Sequence, residues 1–589
     1  PPRSTLFPYT TLFRSAFTVP ADLEIEVVLT EPLIAQPLHL SFDERGRLWV
    51  VEYRQYPAPA GLQQISHDKF WRSVYDQVPP PPPHHFRGKD RVSIHEDTNG
   101  DGVFDSARVF VDGLNIVTSV AVARDGVWVL NPPYLLFYPD RDRDDVPDGD
   151  PEVHLSGFGL EDTHSVANSL RWGPDGWLYA CQGSTVSGRV KLEPLPTDHT
   201  PISTNVVQTL GQHLWRFHPA TRRYEVFSEG GGNAFGIEMD AQGRLFSGHN
   251  GGDTRGFHYV QGAYLQKGFQ THGDLSNPYA FGYFSQMPHD RVERFTHTFL
   301  IYEAVGLPER YRGCLFGVEP LQGRIVLSQI TPLASTFATR DLEHVVTTTD
   351  RWFRPVDIKL GPDGAIYIAD WHDFSINHWK NYQGNMDATS GRVWRLRARS
   401  STAAKPFDLA KHTNDELIAL LDHPNRWWRE TSSRVLSQRG NATLLPVLAK
   451  HVDQSTGPAA LNALWTWHTI ADQTRSSASV ARFLTHTDPQ VRLWAVRFLG
   501  DPFPGALATG VSMSLSASAD TERRTRSGVR ALAELAADEP NLEVRIQLAA
   551  TAKRLPAETA LPIVWFLAQR DEDAAERSEE QTDELQSPN

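Results

Sequence analysis

The sequence predicts two folds in series: an all-β six-bladed β-propeller over residues 16–399, then an all-α, HEAT-like solenoid over residues 409–576. Three observations carry this. A strand–turn–strand phrase whose turn ends in glycine recurs through the first part. A second hairpin phrase with a polar turn follows several of its copies. Near residue 400, short runs of alternating apolar residues give way to helical stripes rich in Ala, Leu and Arg.

The first phrase reads SFDERGRLWVVEY (Ser41–Tyr53), AVARDGVWVLNPP (Ala121–Pro133), RWGPDGWLYACQG (Arg171–Gly183), EMDAQGRLFSGHN (Glu238–Asn250) and KLGPDGAIYIADW (Lys359–Trp371), with turn glycines Gly46, Gly126, Gly176, Gly243 and Gly364. VEPLQGRIVLSQI (Val318–Ile330) is a weaker sixth copy. Copies at irregular spacing, each one supersecondary unit with insertions, predict blades arranged radially. That arrangement protects sheet edges without one large closed barrel.

The second phrase forms the outer hairpin of a blade. Its first copy, VSIHEDTNGDGVFDSARVFVDGL, carries Asp97, Asn99, Asp101 and Asp105 at calcium-loop spacing, with Gly102 for the bend. An EF-hand is excluded, because strands flank the loop and Arg108 stands where the bidentate glutamate belongs. Alternating oxygen ligands still suit a structural Ca²⁺ that clamps the hairpin. A solvated hairpin built on Asx turns is the alternative. The second copy repeats the pattern with Asp140, Asp142, Asp144 and Asp148, and has Asp145 where the first has glycine.

Composition narrows the classes. The 589 residues exceed one ordinary domain, and 40% hydrophobic with 22% charged residues is ordinary for a globular protein. A net charge of −14 without a long basic run argues against nucleic acid as a partner. No apolar run reaches the ~18 residues of a membrane span. Cys181 and Cys314 form no metal or haem motif and are expected as two buried thiols. TLFPYTTLFRS near the start and RSEEQTDELQS near the end resemble translated sequencing adapters, so residues 1–15 and 577–589 are expected to be artefacts of assembly. On that expectation the chain is an internal fragment. The proline run Pro79–Pro83, inside an insertion between Arg54 and Asp90, reads as a stiff spacer or lid segment.

RARSSTAAKP (Arg397–Pro406) marks the linker, placed at residues 400–408. Beyond it, DHPNRWWRETSSRVLSQRG, TDPQVRLWAVRFLGD and EPNLEVRIQLAATAKRL share a form: a proline opens a helix, an arginine follows, and an apolar stripe continues. This is the pattern of stacked helix pairs that offer a surface to protein partners.

WVVEYRQYPAPAGL, HEDTNGDGVFD, NSLRWGPDGWLY, FRPVDIKLGPDGAIYIADWHD, GRVWRLR and DELIALLDHPNRWWRET together resemble the "membrane-bound dehydrogenase" propellers of planctomycetes and verrucomicrobia, over roughly residues 20–575. In that family a c-type haem domain often follows the helices. None is present in this chain, and one lost from its C-terminus is expected as a partner. The resemblance implies an extracytoplasmic, periplasmic location and a likeness to soluble quinoprotein sugar dehydrogenases. In those, pyrroloquinoline quinone (PQQ) lies over the central channel, calcium polarises it, and a histidine takes the proton of a sugar or other alcohol. The matching stretch DTHSVANSLRWGPDGWLY places His164 as that base. In GGNAFGIEMD, Asn233 is kept but Gly232 replaces the arginine that would anchor a quinone carboxylate. The loops SGHNGGDTRG and ADWHDFSINH add His249, Asn250, Asp253, Arg255, Asp370, His372 and Asp373 as pocket lining, and Arg354 as an anion contact.

Three functions compete. The first is a quinone-dependent oxidation of a sugar or alcohol. The second is a non-catalytic binding or scaffold protein that recognises partners or glycans. The third is a lactonase-like metal-dependent hydrolase, ranked last because the blade-turn acids are expected to point away from the channel.

Overall fold

In the computed structural model, residues 16–569 are described except 70–71, 197, 199–203, 268–282, 294–296, 375, 377–385, 402–404, 475, 477 and 504–529. Both adapter-like ends lie outside the described residues.

Six radial sheets follow one another along the chain. The first is Pro37–Phe42, Leu48–Glu52, Asp90–Glu96 and Ser106–Leu114, paired antiparallel in that order. The second begins at Ser119, the third at Asn168, the fourth at Glu238, the fifth at Phe299 and the sixth at Pro355. The sixth is completed by the N-terminal strand Leu23–Thr30, which pairs with Arg392–Ala398. Phe17–Thr18 also joins the outer edge of the fifth. The first and last blades are thereby tied together, and the ring closes.

The inner hairpins show why the glycine phrase recurs. Asp43 Oδ1 accepts from Arg47 N at 3.0 Å, and Asp240 Oδ1 accepts from Arg244 N at 2.9 Å. In the Pro-Asp-Gly copies, Asp175 and Asp363 instead accept from Tyr179 and Tyr367 hydroxyls at 2.6 and 3.0 Å. Gly46 and Gly243 sit at φ +74° and +75°, where a side chain is strained. The sixth copy is out of frame. Gly323 closes the hairpin between the second and third strands of blade 5, Leu315–Glu319 and Arg324–Leu333. The first two strands of that blade are joined by the longer stretch 302–314, which contains the turn Glu309–Tyr311. Cys181 and Cys314 are free and buried.

Beyond Ala398 no strand occurs among the described residues, and the first α-helix is Asn414–Ala419. The shared proline–arginine pattern has one geometric cause. Asn425, Asp488 and Asn541 cap the helices Arg426–Arg439, Pro489–Gly500 and Leu542–Ala552. Four residues after each cap an arginine turns back to the two carbonyls before it. Arg429 donates to His423 and Pro424, Arg492 to His486 and Thr487, and Arg545 to Glu539 and Pro540. No helix among the described residues is long and apolar enough to cross a membrane.

The helices dock on the face formed by the inner turns. A β-carbon on Gly243 would lie 2.5 Å from Trp494, and one on Gly46 would lie 2.8 Å from Phe407, so these turns must be glycine on packing grounds as well. Helix indoles donate to turn carbonyls: Trp494 Nε1 to Gln242 O at 2.8 Å and Trp428 Nε1 to Pro362 O at 2.8 Å. Buried charges pair across the seam. Arg216, fully buried, meets Asp501 at 2.6 Å and Glu225 at 2.5 Å, with its guanidinium 4.0 Å from the Trp177 ring centre. Arg426, on a helix, meets Glu238 and Glu303 of the propeller.

Two predictions follow from this packing. The arginines around Asp501 hold its carboxyl far below the ordinary carboxylate range. Asp501→Ala leaves Arg216 buried without its cross-domain partner and is expected to cost about 3–5 kcal/mol in denaturant unfolding. A loss under about 1 kcal/mol, as at an exposed ion pair, would contradict the burial argument. The second concerns acid. Burial pushes His95, His213, His249 and His297 down to about 4, 3, 4 and 4. The unfolded chain therefore takes up these protons first as pH falls through about 6.5, and stability falls by about 1.4 kcal/mol per pH unit for each imidazole. Asp90 and Glu303, both pushed up to about 7 mainly by burial, work in the opposite sense. His218 is lowered by burial as well, and the imidazoles so lowered outnumber the carboxylates that burial raises among the described residues, so stability is expected to fall between pH 6.5 and 5. Equal melting temperatures at pH 7 and pH 5 would refute it.

Candidate functional site

In a four-stranded antiparallel blade, the first-to-second and third-to-fourth connections lie at one end. The second-to-third connections and the links between blades lie at the other. The helices cover the first end. The opposite, loop face gathers the link 159–167, which carries His164, the link carrying Asn233, and the loops after Glu52, Ser247 and Asp370.

His164 stands at the centre of a three-residue relay. Asp162 Oδ1 lies 3.0 Å from His164 Nδ1 and also accepts from His164 N at 3.0 Å. This fixes the tautomer with its proton on Nδ1 and leaves the Nε2 lone pair for a donor. That donor is the Tyr56 hydroxyl. Asp162 Oδ2 accepts from Thr185 Oγ1 at 2.6 Å and from Ser165 Oγ at 3.3 Å, so the carboxylate is locked on both oxygens. Aromatic packing holds Tyr56. Its ring lies edge-to-face on Trp371 at 4.8 Å and beside Tyr53 at 5.4 Å. Tyr53 donates to Thr163 O at 3.2 Å, and Trp371 Nε1 bonds Gln36 Oε1. The His164 side chain retains 16% exposure, so the relay is sheltered but reachable.

Asn233 joins the relay through Ser165, whose hydroxyl lies 3.2 Å from Asn233 Oδ1, and through Ser184 N at 2.7 Å. The Gly232 departure now has a physical reason. A β-carbon there would lie 1.5 Å from His249 Nδ1, so the imidazole fills the space an arginine side chain would need. His249 is buried and held neutral. Asn250 is half-buried, and Asp253 is exposed with φ +68°.

Several nominated residues serve the fold. Arg255, expected to line a pocket, is buried against Glu319 and Asp341 because those two carboxylates neutralise it inside the sheet. Asp370 is fully buried and ties strand ends together, accepting from Arg354 N, His372 N and Trp394 Nε1 at 2.8–3.0 Å. Arg354, expected as an anion contact, donates to the carbonyls of Phe353 and Phe374. His372 lies 3.3 Å from Ser390 Oγ and 3.5 Å from Asp350, and Asp373 accepts from Asp387 N at 3.1 Å. A tricarboxylate quinone needs cations directed at it. Glycine stands at 232, while Arg255 and Arg354 are turned onto other partners, so the nominated set does not fit that cofactor.

The two acidic loops differ. In the first, Asp97 accepts from the amides of Gly100, Asp101 and Gly102, and Asp105 from Thr98 and Asn99, so their oxygens close the loop's own turns. Asp101 accepts from Val103 N, and Asn99 Oδ1 from Asp101 N. In the second, one carboxylate oxygen each from Asp140, Asp142 and Asp148 lies within 4.8 Å of the others. Asp140 is buried, its Oδ1 has no hydrogen-bond partner, and burial with Asp145 and Asp144 raises its pKa. Asp144 turns aside to Val146 N at 2.9 Å. A cation fits the second loop better than the first.

Sequence reasoning missed Asp162 and Tyr56. The Asp-x-His spacing in EDTHS was a usable signal for the first. Nothing local pointed to Tyr56, which lies 108 positions from His164.

Known structures resemble the propeller part. The PQQ-bound aldose sugar dehydrogenase of Streptomyces coelicolor is 13% identical, with 64% of this chain and 99% of that one covered and a TM-score of 0.35. The soluble aldose sugar dehydrogenase of Escherichia coli in its apo-form is 14% identical, with 64% and 100% covered and a TM-score of 0.31. The calcium-binding protein regucalcin of Agrobacterium tumefaciens is 8% identical, with 63% and 94% covered and a TM-score of 0.28. Likeness at this level is one of fold alone. No curated protein matches the sequence. Residues 12–400 match the profile of a family described as a domain of unknown function, DUF7133. That match takes in more than half of the chain, and the protein is a member of the DUF7133 family.

Proposed function

We propose that the loop face is a site for a sugar or other polyol, at which His164 takes the proton of a substrate hydroxyl. The observation that carries this is the Asp162–His164–Tyr56 relay. Asp162 orients the imidazole and stabilises its charge once protonated. Tyr56 occupies Nε2 until a substrate hydroxyl takes its place. Tyr53, Tyr56 and Trp371, all buried, pack behind the imidazole and hold it in place. Proton removal of this kind suits oxidation of the alcohol, and its two electrons then need an acceptor added from outside these residues. A second reading, a carbohydrate-binding propeller without turnover, is favoured by the His249 ring at Gly232 and the committed arginines.

Oxidation of aldoses and alditols, assayed with a soluble dye acceptor alone and again with pyrroloquinoline quinone and calcium added, separates the two readings, alongside sugar binding measured by calorimetry. On the catalytic reading the wild type turns over, and His164→Asn lowers kcat/KM by about 10²–10⁴ with the melting temperature unchanged. Asp162→Asn acts in the same direction by disturbing the tautomer. Saturable sugar binding without turnover moves the protein to the second reading. Neither binding nor turnover removes both.

The calcium expectation is carried by the second acidic loop. Ca²⁺ held by Asp140, Asp142 and Asp148 would offset the crowding of these carboxylates and clamp the outer hairpin of blade 2. Calcium is expected to raise the melting temperature, and Asp148→Asn to remove that rise, whereas Asp101→Ala in the first loop keeps it. Melting that is identical in calcium and in chelator would rule the ion out.

A further inference from the structure

Gln36 sits where the ring closes, between the strand Leu23–Thr30 that completes blade 6 and the strand Pro37–Phe42 that begins blade 1. It is 1% exposed, and each of its polar groups is used. Its backbone N donates to Ser390 O at 2.8 Å, and its carbonyl accepts from Tyr53 N at 2.9 Å. Its side-chain Nε2 donates to Asp387 O at 2.6 Å, and its Oε1 accepts from Trp371 Nε1. Three of these partners stand on the loops of blade 6 and one on blade 1. To meet all four, the backbone takes φ +48°. That left-handed conformation is uncommon for a residue with a side chain. It persists where the surroundings over-determine it, often at functional sites.

The consequence falls on Tyr56. Its ring lies edge-to-face on Trp371 at 4.8 Å, beside Tyr53 at 5.4 Å and edge-to-face on His164 at 4.9 Å. The Gln36 side chain holds the first of these neighbours, and its carbonyl holds the second. One buried residue thus fixes both aromatic flanks of the tyrosine whose hydroxyl meets His164 Nε2.

We propose that Gln36 is the positioning residue of the relay: by holding the Trp371 and Tyr53 rings, it keeps the Tyr56 hydroxyl on His164 Nε2. The role rests on the function proposed for His164, in which Nε2 is the atom that meets the substrate.

Diethyl pyrocarbonate acylates an imidazole nitrogen whose lone pair is available, so it reports on Nε2 without substrate or turnover. The rate of His164 acylation in the full chain is followed at pH 7 by peptide mass spectrometry. Gln36→Met keeps the length of the side chain and loses both of its hydrogen bonds. Trp371→Phe keeps a ring and loses the indole donor. Each is expected to raise the rate by roughly 3–10-fold, the protection that a hydrogen bond of ordinary strength supplies, and Tyr56→Phe is expected to reach the same rate directly. The double variant Gln36→Met/Tyr56→Phe is expected to go no further, because both changes act on one contact. Gln547→Met removes the bonds of another buried glutamine, to Gln261 and Thr551. It is expected to lower the melting temperature and leave His164 at the wild-type rate. Wild-type rates in both Gln36→Met and Trp371→Phe, a double variant in which the two effects multiply, or a rise in Gln547→Met as large as in Gln36→Met overturns the proposal. If the expected acylation pattern appears in a protein that oxidises no sugar, the activity at His164 is refuted and the positioning role of Gln36 stands.

Discussion

Arg216 and Arg426 are buried guanidinium groups whose neutralisation spans both domains. Arg216 stands in the propeller and meets Asp501 of the helical region. Arg426 opens a helix and meets Glu238 and Glu303 of the propeller. A buried charge stripped of its partner is among the costliest defects a protein can carry. The two domains are therefore obliged to stay together, and most of the remaining architecture follows from where they meet. The apolar core obeys the same rule, since Leu48 and Ile368 of the blades belong to one continuous cluster with Trp427 and Trp494 of the helices.

The meeting place is the face of inner turns, and this decides what each end of the channel can do. Helices close one end and create a chamber lined by His39 and Trp465. The other end is left to loops, where the link before Asn168 brings His164 against Tyr56. The strand Leu23–Thr30 closes the ring between blades 1 and 6. The Tyr56 loop leaves blade 1 and Trp371 leaves blade 6, so that closure brings Tyr56 of the relay against the Trp371 ring.

Elements written in a local pattern could be read from the sequence. The turn glycines Gly46, Gly176 and Gly243 mark inner hairpins because their positive φ strains a side chain, and at Gly46 and Gly243 close neighbours exclude one as well. The proline–arginine phrases mark helix starts because Arg429, Arg492 and Arg545 bond carbonyls only a few residues back. Contacts across long separations were not legible. Blade 5 was read out of frame because its inner strands are joined by a long stretch, so the glycine phrase fell on the next hairpin. His164 was found from its neighbours in the chain, whereas Tyr56 was not. Arg255 looked like a pocket cation because its partners Glu319 and Asp341 are remote in sequence. The docking of helices on turns depends on pairs such as Arg216 with Asp501, which are 285 residues apart and carry no periodic signal.

If the cross-domain charges bind the two folds into one cooperative unit, heat should unfold them together. Differential scanning calorimetry of the full chain tests this most directly. The account predicts one endotherm, lost as a whole. Two separated endotherms, one leaving a folded propeller behind, would show that the helical region is an appendage, and would contradict the claim that the buried cross-domain charges join the two folds.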